Sequence, residues 1–416
     1  MSPTGDHRDD RDDRDDRDDR DDRGDPEAVE ATVAGVTGDE RLRVLELCGS
    51  AAGGVRSHLA QCARILAAAG HDVIVEAPAA VIAGSDLGGA RAEALEIGPR
   101  PAPSDTAAVA RLRRLGGRAD VVHAHGLRAG ALAALALGRR APGRTRLVVT
   151  VHNLPVGGRL TTTLGQRLEA LVASRADAVL AVSPDLSERL LARGATEVDI
   201  AVIPAPEHRG EEIAPPASSV DSAWGTARPR LLTVARLAPQ KGLDLLLETA
   251  SVLAGMRQRG SLPGSEDLVW AVAGDGPGLP AARSRIIEQS LPVRLLGRRE
   301  DVPALLRAAD VVVQTSLWEG QPLAVQEAMR AGAAVVATDV GGTAVTARGA
   351  ALLVAPDPRE LATAIRGLLT DATALEAARR RSRVASGGLP TAEDLAAQLD
   401  AVVTGPAHGP RSAARD

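Results

Sequence analysis

Two acids and two cations in this chain are spaced as a group-transfer site would need them. Glu319 and Glu327, with seven residues between them, lie in SLWEGQPLAVQEAMRAGAAVVATDVGGT, residues 316–343. The first acid falls in the loop after an apolar run, and the second about two turns on, in the next helix. Gly320, Gln321, Pro322 and Leu323 open that helix, and Pro322 suits its first turn. Free N–H groups at such an end favour an anion such as a diphosphate, and the two carboxylates could hold hydroxyls on either side of it. In VARLAPQKG, residues 234–242, Arg236 and Lys241 share one strand-to-helix loop. Two cations there could neutralise a leaving diphosphate. Lys241 is the one Lys in a chain that otherwise uses Arg, and a compact ammonium does not substitute for the guanidinium fork.

The first half offers glycines and histidines. CGSAAGG, residues 48–54, lies between a strand and a helix, and Gly53 and Gly54 would let backbone approach a phosphate or sugar. HAHG ends one strand with His123 and His125, and TVHN ends the next with His152 and the one Asn, Asn153. Histidines gathered at carboxyl ends of strands are what the lip of an active site requires. No ligand spacing marks a zinc site, so no metal is expected. GDGPG, residues 274–278, reads as a plain strand-to-helix turn, because Pro277 and an early third glycine break the dinucleotide pattern.

These residues need a scaffold, and the hydrophobic pattern supplies one. Short apolar runs predict buried strands at 44–47, 73–75, 121–123, 147–151, 178–182 and 200–203, with amphipathic stretches such as 56–69 and 164–174 between them. Residues 80–105 give no clear pattern. After a Pro-, Gly- and Ser-rich break the alternation restarts. Strands are expected at 231–234, 268–273, 293–296, 311–314, 334–337 and 351–354, and helices at 243–256, 279–289, 302–308, 322–331 and 360–369. Such alternation predicts α/β domains with open parallel sheets. The expected divisions are an acidic, disordered tail (1–40) with Arg-Asp-Asp repeats, a first Rossmann-like domain (41–205) and a linker (206–229). A second Rossmann-like domain (230–388), a crossover helix (389–405) and a disordered tail (406–416) complete the chain.

With these motifs in order, the chain resembles the retaining glycosyltransferases of family 4, whose GT-B fold faces two Rossmann-like domains across a cleft. The likeness spans about residues 41–405 and implies that 41–205 is the acceptor domain and 230–388 the nucleotide-sugar-binding domain. Glu-x7-Glu with AGAAVVATDVGGT carries it most specifically, followed by VARLAPQKG, the Gly53–Gly54 pair and HAHG. The resemblance implies a metal-independent transfer from a nucleotide-sugar with retention at the anomeric carbon, needing no cofactor. It places Arg236 and Lys241 on the diphosphate, Glu319 on the donor sugar, Glu327 on the ribose hydroxyls, Gly54 under the phosphates and His125 facing the sugar. The loop of Gly297 and Arg298 would meet the base. Three departures stand out: Gln321 replaces an apolar residue, Ala205 in VIPAP replaces an Asn, and TARGAALLV replaces an Asp-Gly turn. Alternatives of another class are a nucleotide-sugar 2-epimerase on the same fold and a non-catalytic nucleotide-sugar-binding scaffold.

Composition narrows the field further. The 416 residues contain no Phe, no Tyr and three Trp. No tyrosine can act as acid or base, and no row of rings can stack nucleic-acid bases. Nucleic acid is therefore not expected as a partner. Cys48 and Cys62 make no disulfide framework, and no apolar run nears the ~20 residues of a membrane span, which leads to the expectation of a cytoplasmic protein. The net charge of −5 hides an acidic tail and a first half, residues 41–205, of +6. Arg111, Arg113, Arg114 and Arg118 cluster there. Ordinary solvated Arg accounts for them, with peripheral contact at the inner membrane face as the most that is expected. The acceptor, compatible with a lipid-linked or phosphorylated molecule in envelope, glycolipid or polysaccharide synthesis, is not named by the sequence.

Overall fold

The computed structural model describes residues 41–153, 159–206, 217–262 and 267–405. The Arg-Asp-Asp repeat and the 406–416 tail, both expected to be disordered, lie outside the described residues.

Apolar segments form two parallel sheets. The first contains β1 (Arg43–Cys48), β2 (Asp72–Ala77), β3 (Arg91–Ala94), β4 (Val121–His125), β5 (Arg146–Val151), β6 (Ala178–Ala181) and β7 (Val198–Ile200), in the order β3-β2-β1-β4-β5-β6-β7. The second contains β8 (Arg230–Val234), β9 (Val269–Ala273), β10 (Val293–Gly297), β11 (Val311–Gln314), β12 (Ala334–Thr338) and β13 (Leu352–Val354), in the order β10-β9-β8-β11-β12-β13. The α/β architecture of two Rossmann-like domains therefore holds. Strands β4, β5 and β6 are buried along their whole length, as parallel strands covered on both faces must be.

Each sheet reverses its winding once, between β1 and β4 and between β8 and β11. A crevice opens outside the carboxyl ends of the strands at such points. The loops there are CGSAAGG after β1, HAHG at the end of β4, VARLAPQKG after β8 and SLWEG after β11. Chain topology thus brings the four most chemical stretches of the sequence to the two switch points.

The cores are built of Ala, Val, Leu and Ile, with Trp224 and Trp270 as the largest fully buried side chains. Helix Ala392–Thr404 opens with a Thr391–Asp394 capping box and sends Leu395, Leu399, Val402 and Val403 into the core of the first sheet. The chain therefore returns to its first half before it ends.

Several elements differ from the expected ones. Strand β7 ends at Ile200, and the apolar run after it is buried as an irregular segment instead, with Ala201 and Ile203 in the first core. Strand β3 is an exposed edge strand of alternating Arg, Ala and Glu, which is why residues 80–105 carry no hydrophobic signal. Helix Ala372–Ser386 was not anticipated: it fully buries only Ala378 and Ser382, and its other contacts to the cores come from Ala374, Leu375 and Ala385, a weak apolar stripe of mostly small residues. Pro322 sits at the cap position, one residue before helix Leu323–Arg330 begins.

Candidate active site

In the second half, Lys241 and Glu319 meet. Lys241 Nζ donates to Glu319 Oε1 at 2.5 Å, and Ser316 Oγ donates to the same oxygen. Glu319 is 6% exposed, so its charge is largely removed from water and its partners must compensate for that. The two loops that carry the pair are tied by backbone. Leu317 N–H donates to the Gln240 carbonyl, and Gln240 Nε2 donates to the Trp318 carbonyl. Gly242 has φ +63°, and a Cβ there would collide with the Thr315 carbonyl oxygen. Only glycine fits that position. Gly342 N–H donates to the Glu319 carbonyl at 2.9 Å, and a Cβ on Gly341 or Gly342 would strike the Glu319 or Gly320 carbonyl oxygen. The glycine pair of DVGGT thus fits against the Glu319 loop, a role that its position 22 residues downstream of Glu319 does not reveal.

Arg236 lies on the same strand-to-helix loop as Lys241 and is exposed and unpaired among the described residues. The GDGPG turn sets its loop. Leu237 N–H donates to the Asp275 carbonyl, Gly278 N–H donates to the Leu237 carbonyl, and both donor–acceptor distances are 2.9 Å. Side chains at Gly274 or Gly276 would collide with Ala235 or Leu237 backbone. The turn is a packing device for the Arg236 loop.

Helix Leu323–Arg330 has no side chain capping its N-terminus, so its first N–H groups remain available to a ligand. Glu327 stands in the middle of this helix. Burial pushes its carboxyl up to about 7, against the opposing pull of Arg330. Arg330 is committed elsewhere, donating to the Ala205 and Pro390 carbonyls. At the end of β10, Gly297 has φ +68° and its carbonyl accepts from Gly274 N–H at 2.8 Å. Arg298 is exposed, whereas Arg299 is neutralised by Asp301.

The first half contains a cluster that the motifs show only in part. Glu46, in the middle of β1, is fully buried and accepts from two rings, His123 Nδ1 at 3.0 Å and His125 Nε2 at 2.7 Å. Burial alone would raise its pKa, but His123 and His125 outweigh it and hold the carboxyl at about 2. His123 Nε2 lies 2.8 Å from Thr150 Oγ1, and His125 Nδ1 lies 3.3 Å from His152 Nε2. His58, on helix Gly54–Ala68, joins this cluster, its ring 5.4 Å from those of both His125 and His152. Burial pulls the pKa of His58, His125 and His152 down, that of His125 against the opposing pull of Glu46. Both ring nitrogens of His125 are engaged inside the cluster, and His152 is its most exposed ring, at 8%. Glu46 and His58 escape a reading by motif. The available signal was an acid interrupting the apolar run VLELC, since a buried strand tolerates one only with partners.

The two halves meet around these loops. A Cβ on Gly54 would lie 3.3 Å from Leu323, and one on Gly320 would collide with Val182 beside the His152 carbonyl. Trp318 Nε1 donates to Asp185 Oδ2 at 3.0 Å, and Gln321 Nε2 donates to the Ala201 carbonyl. Gln326 bonds both the Ala205 N–H and the Ile203 carbonyl at 3.0 Å. The segment around Ala205 is therefore held through its backbone, which explains how it dispenses with an Asn side chain. Gln321, unexpected by the resemblance, makes a polar latch to the first half. Arg111 in the basic stretch is taken up by Glu76 and Glu93, which weakens that stretch as an anion site. Among the described residues no helix is long and apolar enough to cross a membrane.

Comparison with known proteins identifies the family and the fold. Residues 53–206 match the model of the glycosyl transferase 4-like domain, and residues 228–371 match that of glycosyl transferases group 1. Over 112 residues the chain is 35% identical to the UDP-Gal:alpha-D-GlcNAc-diphosphoundecaprenol alpha-1,3-galactosyltransferase of Escherichia coli, covering 26% of this chain and 27% of that one. It is 30% identical over 151 residues to the alpha-D-kanosaminyltransferase of Streptomyces kanamyceticus, covering 35% and 37%. The chain thus spans well under half the length of these curated relatives. Among solved structures, Anabaena Alr3699/HepE in complex with UDP and glucose superposes with a TM-score of 0.69 at 18% identity, over 88% of this chain and all of that one. WaaG, a glycosyltransferase involved in lipopolysaccharide biosynthesis, gives 0.64 at 16% identity, over 87% and 100%. Two matched domains on two facing parallel sheets place the chain in the GT-B family of glycosyltransferases.

Proposed function

We propose that the protein moves a sugar from a nucleotide-sugar to an acceptor hydroxyl, with retention and without a metal ion at the diphosphate. The observation that carries this reading is the Lys241–Glu319 pair, with the unpaired Arg236 on the loop of Lys241. Arg236 and Lys241 supply positive charge where a leaving diphosphate gains negative charge. The uncapped helix at Leu323, with Gly320, Gln321 and Pro322 before it, and the glycines at 53 and 54 give it backbone contacts. Glu319 fixes Lys241 and meets the sugar, and Glu327 accepts from the ribose hydroxyls. Gly297 and Arg298 border the base. His125 acts at the sugar end through His152.

No protein nucleophile is required. The bond from the anomeric carbon to the diphosphate breaks as the acceptor oxygen bonds to that carbon on the same face, and the acceptor proton passes to a diphosphate oxygen. UDP is the nucleotide to test first, because it is bound in Alr3699/HepE. The alpha-1,3-galactosyltransferase name points to a lipid-linked diphosphate sugar as one acceptor to try, in keeping with a place in envelope or polysaccharide synthesis. A thermal-shift panel of nucleotide-sugars and free nucleotides tests the reading. A donor at a hundredfold excess over its Kd stabilises by about 2.7 kcal/mol. If none shifts the melting temperature, the proposal is wrong.

A further inference from the structure

The histidine cluster of the first half has a geometry that the proposed transfer does not use. His58, His125 and His152 come from three elements, helix Gly54–Ala68 and the ends of β4 and β5. Their candidate ligand nitrogens all lie within 4.8 Å of one another. The three ring centroids form a nearly regular triangle, 5.4, 5.4 and 5.6 Å apart. Three imidazoles on a tetrahedral ion with Zn–N bonds of 2.0–2.1 Å would place their nitrogens about 3.3 Å apart and their centroids about 5.2 Å apart. His125 Nδ1 and His152 Nε2 are 3.3 Å apart.

Two further observations point to a ligand. His58 is 2% exposed, yet the one hydrogen-bonding neighbour of its ring among the described residues is the Cys62 sulfur, at 3.5 and 3.9 Å. A buried polar ring with so weak a partner is costly. His125 Nε2 bonds Glu46, and the other ring nitrogen, Nδ1, faces His152 within the triangle. This is the carboxylate–histidine arrangement that orients metal ligands from behind.

We infer that His58, His125 and His152 form a site for a divalent transition-metal ion of the zinc type, with Glu46 orienting His125. The site sits at the wall of the first-half switch point, with the His152 carbonyl near Gly320, the residue after Glu319. His152 is the least buried of the three. The inference rests on the cluster geometry and stands whether or not the protein transfers sugar. If it does, an ion that takes His152 removes that ring from the sugar end, so zinc inhibits transfer.

The test uses the full chain stripped with chelator and titrated with Co2+, read by visible ligand-field absorption and by metal per chain after gel filtration. The expected result is saturation at one ion per chain, with Zn2+ displacing Co2+. His152→Ala should abolish the band, and Glu46→Gln should weaken binding 10- to 100-fold. Glu46→Gln preserves shape, so it decides the matter if His152→Ala does not fold. Any ion held by the Asp-rich tail appears equally in wild type and variants and cancels. The inference is overturned if no saturable band forms, or if binding survives both variants. It is also overturned if binding is lost in His123→Ala but kept in His58→Ala, which would move the ion to the neighbouring Cys62–His123–His125 group.

Discussion

Lys241 carries the electrostatic argument at the scale of single residues. Removing one preorganised charge partner of a transition state typically costs 10²–10³ in rate. Lys241→Ala is therefore expected to lower kcat/KM for the donor by about that factor, measured as nucleotide release. Lys241→Arg should not restore it, because a planar fork cannot follow a point charge into the 2.5 Å contact with Glu319. Glu327 sets a pH dependence. Its folded pKa of about 7 lies above the ordinary value of 4.5, and hydroxyls donate better to the ionised form. Donor Kd should fall as pH rises from 6 to 8, and Glu327→Gln should flatten that profile. The stability effect has the opposite sign. The folded state holds this proton more tightly than the unfolded chain, so unliganded stability falls as pH rises from 4.5 through 7. Glu327→Gln should melt higher than wild type at pH 8, with the gap closing toward pH 4.5. Glu319, Arg236 and Lys241 could be singled out in the sequence because they follow strands that apolar runs announce, and Glu327 because it falls in the helix expected next. Glu46 and His58 could not, since each takes its meaning from partners on other elements.

Loops and turns act by fitting together. Gly341 and Gly342 leave room for the carbonyls of Glu319 and Gly320, so Gly342→Ala must push the Glu319 loop away. The expected outcome is a lower melting temperature together with weaker donor binding, by calorimetry and thermal melts. A loss of stability with unchanged donor affinity would show that the loop tolerates displacement. The GDGPG turn makes the same point about legibility. Its glycines could be read as a turn, but that the turn seats the Arg236 loop depends on a contact between segments about 40 residues apart. The strands of the buried sheets were readable from apolar runs. Strand β3 and helix Ala372–Ser386 were not, because the strand is exposed and the helix meets the cores through few and mostly small residues, Ala374, Leu375, Ala378 and Ala385.

Across the whole molecule, the halves are joined by polar contacts, many of them to backbone, together with Trp318 and Leu323, which pack against the core of the first half. Gln326 satisfies both Ile203 and Ala205, and Gln398 of the last helix bonds Val202 N–H and the Ile200 carbonyl. Gln326→Ala leaves two buried backbone groups without partners, a cost of about 1–3 kcal/mol each. Denaturant melts should show that loss, and a neutral result would mean that the 203–205 segment is free to find other partners. The absence of Phe and Tyr fits this design, in which Gln and Arg side chains do much of the joining. The central claim is that Lys241, paired with Glu319, serves a nucleotide-sugar diphosphate. Its most direct test is UDP release from a panel of UDP-sugars by the wild-type chain and by Lys241→Ala, with folding confirmed for both. The account predicts turnover of at least one donor by wild type and a 10²–10³-fold loss in the variant. Equal turnover by the two proteins, or no nucleotide-sugar bound by the wild type, would contradict it.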